Sequence, residues 1–225
     1  MTKEQADAFA EILQILYDEK VLPYVIIVGS WAEYLYEQSG YFSTDFRSNL
    51  RTRDVDVLYS NIKMPGHRTT VIRNLAEHGF IYNQDVVSGV GKFSKEDLID
   101  LEFMTKVLGS GNEQFYDIPS IGIKAEGLRA LNILADKSTT AEFRGLTVNV
   151  PEPSAYVLQK LIINPNRTPD WKKEKDIDAV RELLSHIKNS EHDRMRLRII
   201  YDGLSTKNKK TVDKVCKEHW LELFS

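Results

Sequence analysis

The feature that most constrains this chain is a strand–turn–helix–strand pattern within residues 24–59. Residues 24–28 form a short, mostly β-branched run that is typical of a buried strand. Gly29-Ser30 ends that run, and a helix is predicted to follow at once. Residues 54–59 then alternate polar and apolar side chains, which predicts a strand whose two faces differ in chemistry.

Two carboxylates share one face of this second strand. Asp54 and Asp56 are two residues apart, so their side chains point to the same side of the sheet, while Val55 and Val57 face the core. Two like charges this close are costly unless a cation lies between them. Mg²⁺ prefers hard oxygen ligands of this kind, so the pair predicts a divalent-metal site.

The Gly29-Ser30 turn predicts an anion site beside these carboxylates. Glycine lets a phosphate approach the backbone, and the start of the next helix offers free N–H groups and a partial positive charge. Gly-Ser turns and Asp-X-Asp strands are each common in proteins of any function. In this order and on these elements, they are together typical of nucleotidyl transfer, with a triphosphate held at the helix start.

Phosphate chemistry of this type usually needs a third carboxylate. Asp100 and Glu102 lie two apart on a strand predicted over residues 98–105, so they share a face. Either residue is a candidate, and each is also what an ordinary alternating strand would carry on its polar side.

The remaining pattern predicts an α/β part followed by a helical part. A further strand is predicted over 80–87, and the runs 139–143 and 146–150 predict a hairpin. Residues 39–50 show no period and predict an exposed loop. The predicted helices are one capped by Thr2, and others over 31–36, 67–78, 153–162, 170–189 and within 191–223. We place a boundary near residue 151, between an α/β domain (1–151) and a helical domain (152–225).

Composition excludes several kinds of protein. The 225 residues carry a net charge of −3, which argues against non-specific coating of DNA. The single cysteine, Cys216, excludes an intramolecular disulfide and a four-cysteine zinc site. No apolar run approaches the ~18 residues that span a bilayer, and the first residues are charged, unlike a secretory signal. We expect a cytoplasmic protein without a membrane partner.

Charge is divided unevenly along the chain. Residues 1–171 carry 17 Lys/Arg and 23 Asp/Glu, a net charge of −6, whereas residues 172–217 carry 13 and 8, a net charge of +5. The basic part indicates either a surface that receives polyanions or lysines on solvated helix faces. Trp171, Tyr201 and Trp220 are either core aromatics or platforms on which RNA bases stack.

These motifs resemble the polymerase-beta-like nucleotidyltransferase superfamily, whose signature is a hydrophobic residue, Gly, Gly or Ser, then Asp-X-Asp or Asp-X-Glu. The chain is most similar to a bacterial group of minimal, toxin–antitoxin-type nucleotidyltransferases, in which Thr-X-Asp precedes the pair, as in Thr52-Arg-Asp54. A proline-led helix ending in Lys-Leu and a later Lys-Asp element, over residues 150–162 and 175–178, resemble that group too.

The resemblance implies an α+β fold, a mixed sheet flanked by helices and followed by the helical C-terminal part. It implies an enzyme that uses Mg²⁺ or Mn²⁺ to move a nucleoside monophosphate from an NTP to an acceptor hydroxyl, releasing pyrophosphate. A protein side chain, an RNA 3′ end and a small molecule remain open as acceptors. A cognate toxin or antitoxin protein is a further possible partner. The alternative is a module of the same fold that binds a nucleotide or partner without turnover.

The resemblance also assigns roles to single residues. Glu102 is favoured over Asp100 as the third carboxylate, because it precedes Phe103-Met104, as in the family. The nucleotide-binding residues would be Gly29, Ser30, Arg51, Thr52 and Lys160, the metal ligands Asp54, Asp56 and Glu102, and the catalytic carboxylates these three with Asp100. The 24 positions between Ser30 and Asp54 exceed the usual spacing, so residues 39–50 resemble an insertion.

Overall fold

A computed structural model of the chain describes residues 2–42, 45–48, 52–107, 114–128 and 131–224. Its helices are α1 (Lys3–Asp18), α2 (Ser30–Ser39), α3 (Val71–Glu77), α4 (Asn132–Asp136), α5 (Pro153–Ile163), α6 (Asp170–Ile187), α7 (Glu191–Asp202) and α8 (Thr206–Glu218). Its strands are β1 (Val25–Val28), β2 (Asp54–Tyr59), β3 (Ile81–Gln84), β4 (Gly91–Lys95), β5 (Ile99–Thr105), β6 (Phe115–Ile118), β7 (Ile123–Gly127), β8 (Ser138–Phe143) and β9 (Leu146–Pro151).

Seven strands form one mixed sheet. Its main order is β1-β2-β5-β4-β3, and β7 joins the end of β5 and pairs in turn with β6. The β2–β5 pair is parallel, whereas β1–β2 and β4–β5 are antiparallel. The strands β8 and β9 form a separate hairpin. The α+β class with a mixed sheet and flanking helices is therefore confirmed.

The sheet buries one face against helices near the N-terminus. Val55 and Val57 of β2 are fully buried, as their alternation with the aspartates predicts. Helix α1 begins at the predicted Thr2 capping box, and it packs on α2 where the rings of Phe9 and Trp31 lie 4.3 Å apart. This packing leaves the opposite, polar face of β2 and β5 available for a site.

The C-terminal helices surround α5, which packs against α6, α7 and α8. All eleven residues of α5 except Ile162 and Ile163 are buried, because the helix lies between the sheet domain and the other helices. Buried side chains of both parts belong to one cluster. The domain boundary near residue 151 stays a prediction.

The structure differs from the sequence prediction in three strands and in part of one loop. The strands β4, β6 and β7 were not predicted, because glycine, lysine and other polar residues break their apolar pattern. Within the predicted exposed loop at 39–50, Asp45 and Arg47 are exposed as predicted, but Phe46 is buried, with its ring 5.2 Å from that of His186. Aromatic packing onto α6 therefore holds this segment against the body of the protein.

Among the helices in the described part of the chain, none combines the length and apolar character needed to cross a membrane.

Candidate active site

The strand register brings four carboxylates onto one face of the sheet. Parallel pairing of β2 with β5 places Asp54 opposite Asp100 and Asp56 opposite Glu102. Side chains at these alternate positions project from the same side of both strands. The side chains of Asp54, Asp56, Asp100 and Glu102 therefore project from one side of two adjacent strands. We call this surface the acidic face.

The Gly-Ser turn lies directly against the acidic face. Val28 at the end of β1 pairs with Asp56, so the next residue, Gly29, passes over the Asp56 carboxylate. Gly29 has φ +66° and ψ −158°, a conformation essentially reserved for glycine. A Cβ there would lie 2.6 Å from Asp56 Oδ2. The close approach of turn and carboxylate therefore requires glycine.

Ser30 begins helix α2 with its side chain buried. The described residues offer its hydroxyl no hydrogen bond, and no side chain caps the helix N-terminus. Backbone N–H groups at a helix start need acceptors. The hydroxyl and the free helix start together make a donor-rich position next to Asp56.

The side chain of Asp56 lines the cleft beside the Gly29 turn. No hydrogen bond or ion pair joins it to the residues that the structure describes, although Gly29 covers part of it. Burial raises the pKa of Asp56 to about 7, and the neighbouring carboxylates of Glu102 and Asp54 act in the same direction. A bound cation would remove this penalty, because an opposite charge favours the ionised form.

The Lys92 ammonium lies among the other three carboxylates of the acidic face. Lys92 projects from β4, where it pairs with Glu102 in the register. Its Nζ lies 3.0 Å from Glu102 Oε1, 3.2 Å from Asp100 Oδ2 and 3.3 Å from Asp54 Oδ1. Partial burial lowers the pKa of Lys92, but hydrogen bonds to Glu102 and Asp100 outweigh it and raise that pKa above its ordinary value.

The donor chemistry of Asp54 and Asp56 fits a hard divalent cation, and the lone carboxylate of Asp56 is the observation that supports it. A site with three carboxylates is not formed, however. Across the described ranges, no three His, Cys, Asp or Glu side chains are arranged to hold a metal ion. The ammonium of Lys92 lies where Asp54 and Glu102 would otherwise share a cation.

The structure separates the two candidates for the third carboxylate. Glu102 lines the cleft above the acidic face, with a side chain that is 41% exposed. Asp100 is buried between Lys92 and Arg53, whose Nη2 lies 3.9 Å from Asp100 Oδ2. Of the two, Glu102 is therefore the one accessible to a substrate.

Thr52 and Lys160 line the same cleft from different parts of the fold. The Thr52 hydroxyl donates to Asp54 Oδ2 at 3.0 Å and accepts from the Asp54 N–H at 3.1 Å, so it fixes the aspartate. Lys160 of α5 is buried, and its ammonium lies 2.7 Å from Asp176 Oδ1. The Arg167 Nε lies 3.0 Å from the other oxygen of Asp176. Arg51 lies outside the described residues.

Seven of the nine predicted residues, all except Asp100 and Arg51, line one polar cleft of about 430 Å³. The polar cleft is lined by Gly29, Ser30, Thr52, Asp54, Asp56, Lys92, Glu102, Lys160, Arg167, Trp171, Lys172, Lys175 and Asp176. Trp171 is 58% exposed at its wall, and Trp220 is 91% exposed elsewhere, so neither is the core aromatic considered above. Burial lowers the pKa of Lys175, and the nearby Lys160 lowers it further, so this wall of the cleft is crowded with cations.

A second, more apolar space adjoins the polar cleft. This apolar compartment has a volume of about 390 Å³ and shares Gly29, Asp56, Lys160 and Arg167 with the cleft. Its apolar lining residues are Val28, Met104, Leu128, Leu131, Leu134 and Ile163. The two spaces therefore meet at the carboxylate of Asp56.

The structure combines a glycine turn at a helix start with paired carboxylates that face it from a mixed sheet. This combination is typical of the class of proteins that transfer nucleotides. The chain belongs to the nucleotidyltransferase family, whose profile matches residues 8–199. No curated protein matches the chain by sequence.

Solved structures share the fold at low sequence identity. An antigenic nucleotidyltransferase-like protein from Paracoccidioides brasiliensis has a TM-score of 0.55 at 14% identity, covering 94% of this chain and 87% of its own. The antibiotic-resistance factor ANT(2″)-Ia in solution has a TM-score of 0.52 at 13% identity, covering 98% of both chains. Its crystal structure with adenylyl-2″-tobramycin has a TM-score of 0.50 at 13% identity, covering 95% of this chain and 99% of its own.

Several residues of the cleft were not predicted from the sequence. Lys92 was missed because its strand, β4, was not predicted. Asp176 and Arg167 were missed because their pairing with Lys160 joins α5, the segment after it and α6, a contact that spacing along one helix does not reveal. The Lys-Asp element at 175–176 was the only sequence signal near this cluster.

Proposed function

We propose that this protein moves a nucleoside monophosphate from an NTP to an acceptor hydroxyl in the polar cleft, and that Asp54 and Asp56 bind Mg²⁺ or Mn²⁺ for the reaction. The observation that carries the proposal is the unpartnered Asp56 carboxylate in contact with the Gly29 turn. A partly buried carboxylate with no ion-pair partner among the described residues favours the binding of a cation. The adjacent helix start favours the binding of an anion.

Each group of the cleft has a defined part in the transfer. Ser30 and the N–H groups of α2 hold the phosphates, and the cations at the wall neutralise the departing pyrophosphate. The acceptor oxygen forms a bond to the α-phosphorus, the bond to the β-phosphate oxygen breaks, and the hydroxyl proton passes to Glu102. When bound, the metal ion supplies charge neutralisation at the α-phosphate.

The charge of the cleft favours an anionic acceptor such as an RNA 3′ end. Lys172 and Lys175, which line the cleft with Trp171, make no ion pair within the part of the chain that is described. Unpaired cations beside an exposed aromatic ring suit a nucleic acid strand. ANT(2″)-Ia binds adenylyl-2″-tobramycin, so a small-molecule acceptor is the competing possibility.

The decisive experiment replaces Asp56 by Asn. We expect transfer of label from α-³²P NTP, with Mg²⁺ and cell lysate as the source of acceptor, to fall on the order of 10³-fold. Asp97→Asn is the matched control, because Asp97 is an exposed aspartate on the turn before β5. An Asp56→Asn variant that keeps the wild-type rate would refute the proposal. Digestion of the product by nuclease, but not by protease, would identify RNA as the acceptor.

A non-catalytic nucleotide-binding module is the second candidate function, and the position of Lys92 favours it. An ammonium within 3.3 Å of three carboxylates offsets part of the negative charge of the acidic face without any metal. Tight NTP binding in calorimetry, with no labelled product from any lysate fraction or metal, would support the module and exclude the enzyme.

A further inference from the structure

The apolar compartment has the composition of a pocket for a planar apolar group. Its lining comes from the ends of β1 and β5, from Leu128, Leu131 and Leu134, and from helix α5. Pockets of this size are typically apolar, with a few placed polar groups that fix the orientation of the ligand.

One such polar group is Gln159 of α5. Its side chain lines the compartment, and the residue is only 7% exposed. The described residues provide no hydrogen bond for its amide. The donor and the acceptor of this amide are therefore available to a ligand that enters the compartment. By contrast, the hydroxyl of Tyr156 in the same wall already donates to Glu33 at 2.7 Å.

We propose that this compartment binds the base of the NTP and that the Gln159 amide reads the polar edge of the base. The proposal rests on the proposed function, because it takes the polar cleft as the triphosphate site. An NTP is an anionic tail joined through ribose to a flat, largely apolar base. The two spaces meet at Gly29 and Asp56, so a tail in the polar cleft directs the base into the compartment. Apolar side chains stack on the faces of a base, and an amide pairs with its edge.

The test measures binding rather than transfer. Affinities of α,β-methylene analogues of ATP, CTP, GTP and UTP, and of inorganic tripolyphosphate, are determined by calorimetry in the presence of Mg²⁺. We expect the wild-type chain to prefer at least one base by about tenfold and to bind it more tightly than tripolyphosphate. The variant Gln159→Leu should bring the four affinities within about threefold of one another and leave tripolyphosphate binding unchanged.

A second variant tests the hydrogen bonds without removing a polar group. Glu accepts but does not donate when ionised. Gln159→Glu should therefore shift the preference towards the bases with an exocyclic amino donor, adenine, cytosine and guanine, by about tenfold relative to uracil. Gln14→Leu, at an exposed position of α1, is the control that should change none of these affinities.

The inference is overturned if wild-type affinities for the four analogues are equal, or if both Gln159 variants keep the wild-type ratios. These outcomes are separable from failure of the proposed function. Base selectivity that is lost in Gln159→Leu, with no transfer product from the wild type, would refute only the transfer activity. Transfer with unchanged base ratios would refute only the base pocket.

Discussion

At the scale of single residues, the site depends on the contact between Gly29 and Asp56. The turn must use a backbone conformation reserved for glycine, and the carboxylate fills the space that a side chain would need. Two separate physical causes therefore demand glycine at this position. The sequence motif identified the residue, but only the structure shows that the carboxylate is the reason for it.

We expect Gly29→Ala to lower the free energy of unfolding by about 1–3 kcal/mol and to abolish nucleotide binding, since Cβ displaces Asp56. Urea denaturation and calorimetry with an NTP measure the two effects. Gly145→Ala is the matched control, because Gly145 has φ +82° but no atom within 4 Å of the new Cβ. The Gly145→Ala variant should lose stability but keep its nucleotide binding. Equal nucleotide binding by both variants would show that the contact with Asp56 is unimportant.

The raised pKa of Asp56 predicts a pH dependence of stability in the metal-free protein. The pKa moves from 3.8 in the unfolded chain to about 7 in the fold. The protonated group is thus favoured by folding, and its contribution is complete below about pH 4 and lost as the pH rises through 7.

Relative to Asp56→Asn, the wild-type free energy of unfolding should fall by about 1.4 kcal/mol per pH unit between pH 4.5 and 6.5 in EDTA. Denaturation at several pH values checks this. Saturating Mg²⁺ should flatten the difference, because a cation favours the ionised carboxylate. A difference that is constant with pH in EDTA would contradict the environment described for Asp56.

At the scale of elements, β4 brings a cation to the acidic face. Its pattern, Gly-Lys-Phe-Ser-Lys, is too short and too polar to predict a strand, and pairing with β5 is what orders it. Local propensity is weak evidence for such a strand, because the partner supplies the stabilisation. The same holds for β6 and β7, whereas β2 and β5 were predictable from their alternation.

Replacing Lys92 by Met should destabilise the metal-free protein by about 1–2 kcal/mol, because Asp54 and Glu102 lose their counter-charge and Asp100 keeps only Arg53. Added Mg²⁺ should raise the melting temperature more in this variant than in the wild type, since Asp54 and Glu102 become free to bind it. Lys95→Met, on the same strand but paired with Glu11, provides the comparison. No gain in metal-induced stabilisation would mean that Lys92 does not compete with a cation.

At the scale of the whole molecule, the polar cleft lies between the sheet and the helices that follow it. The first half of the site, on β1, α2, β2 and β5, was predictable because its residues lie close in sequence or alternate along strands. The second half was not. Asp176 is almost fully buried between the cations of Lys160 and Arg167, and that grouping depends on how α5 and α6 pack.

The pairing of β2 with β5 also constrains how this protein folds. Side chains on a strand alternate between faces, so a slip of one residue in either strand would exchange its carboxylates for its valines, leucine or phenylalanine. Ionised groups would then enter the apolar interior, at a cost that no other contact of the sheet offsets. Misaligned chains are therefore destabilised by the same carboxylates that form the acidic face, so the acidic face itself favours the correct register of β2 and β5 during folding.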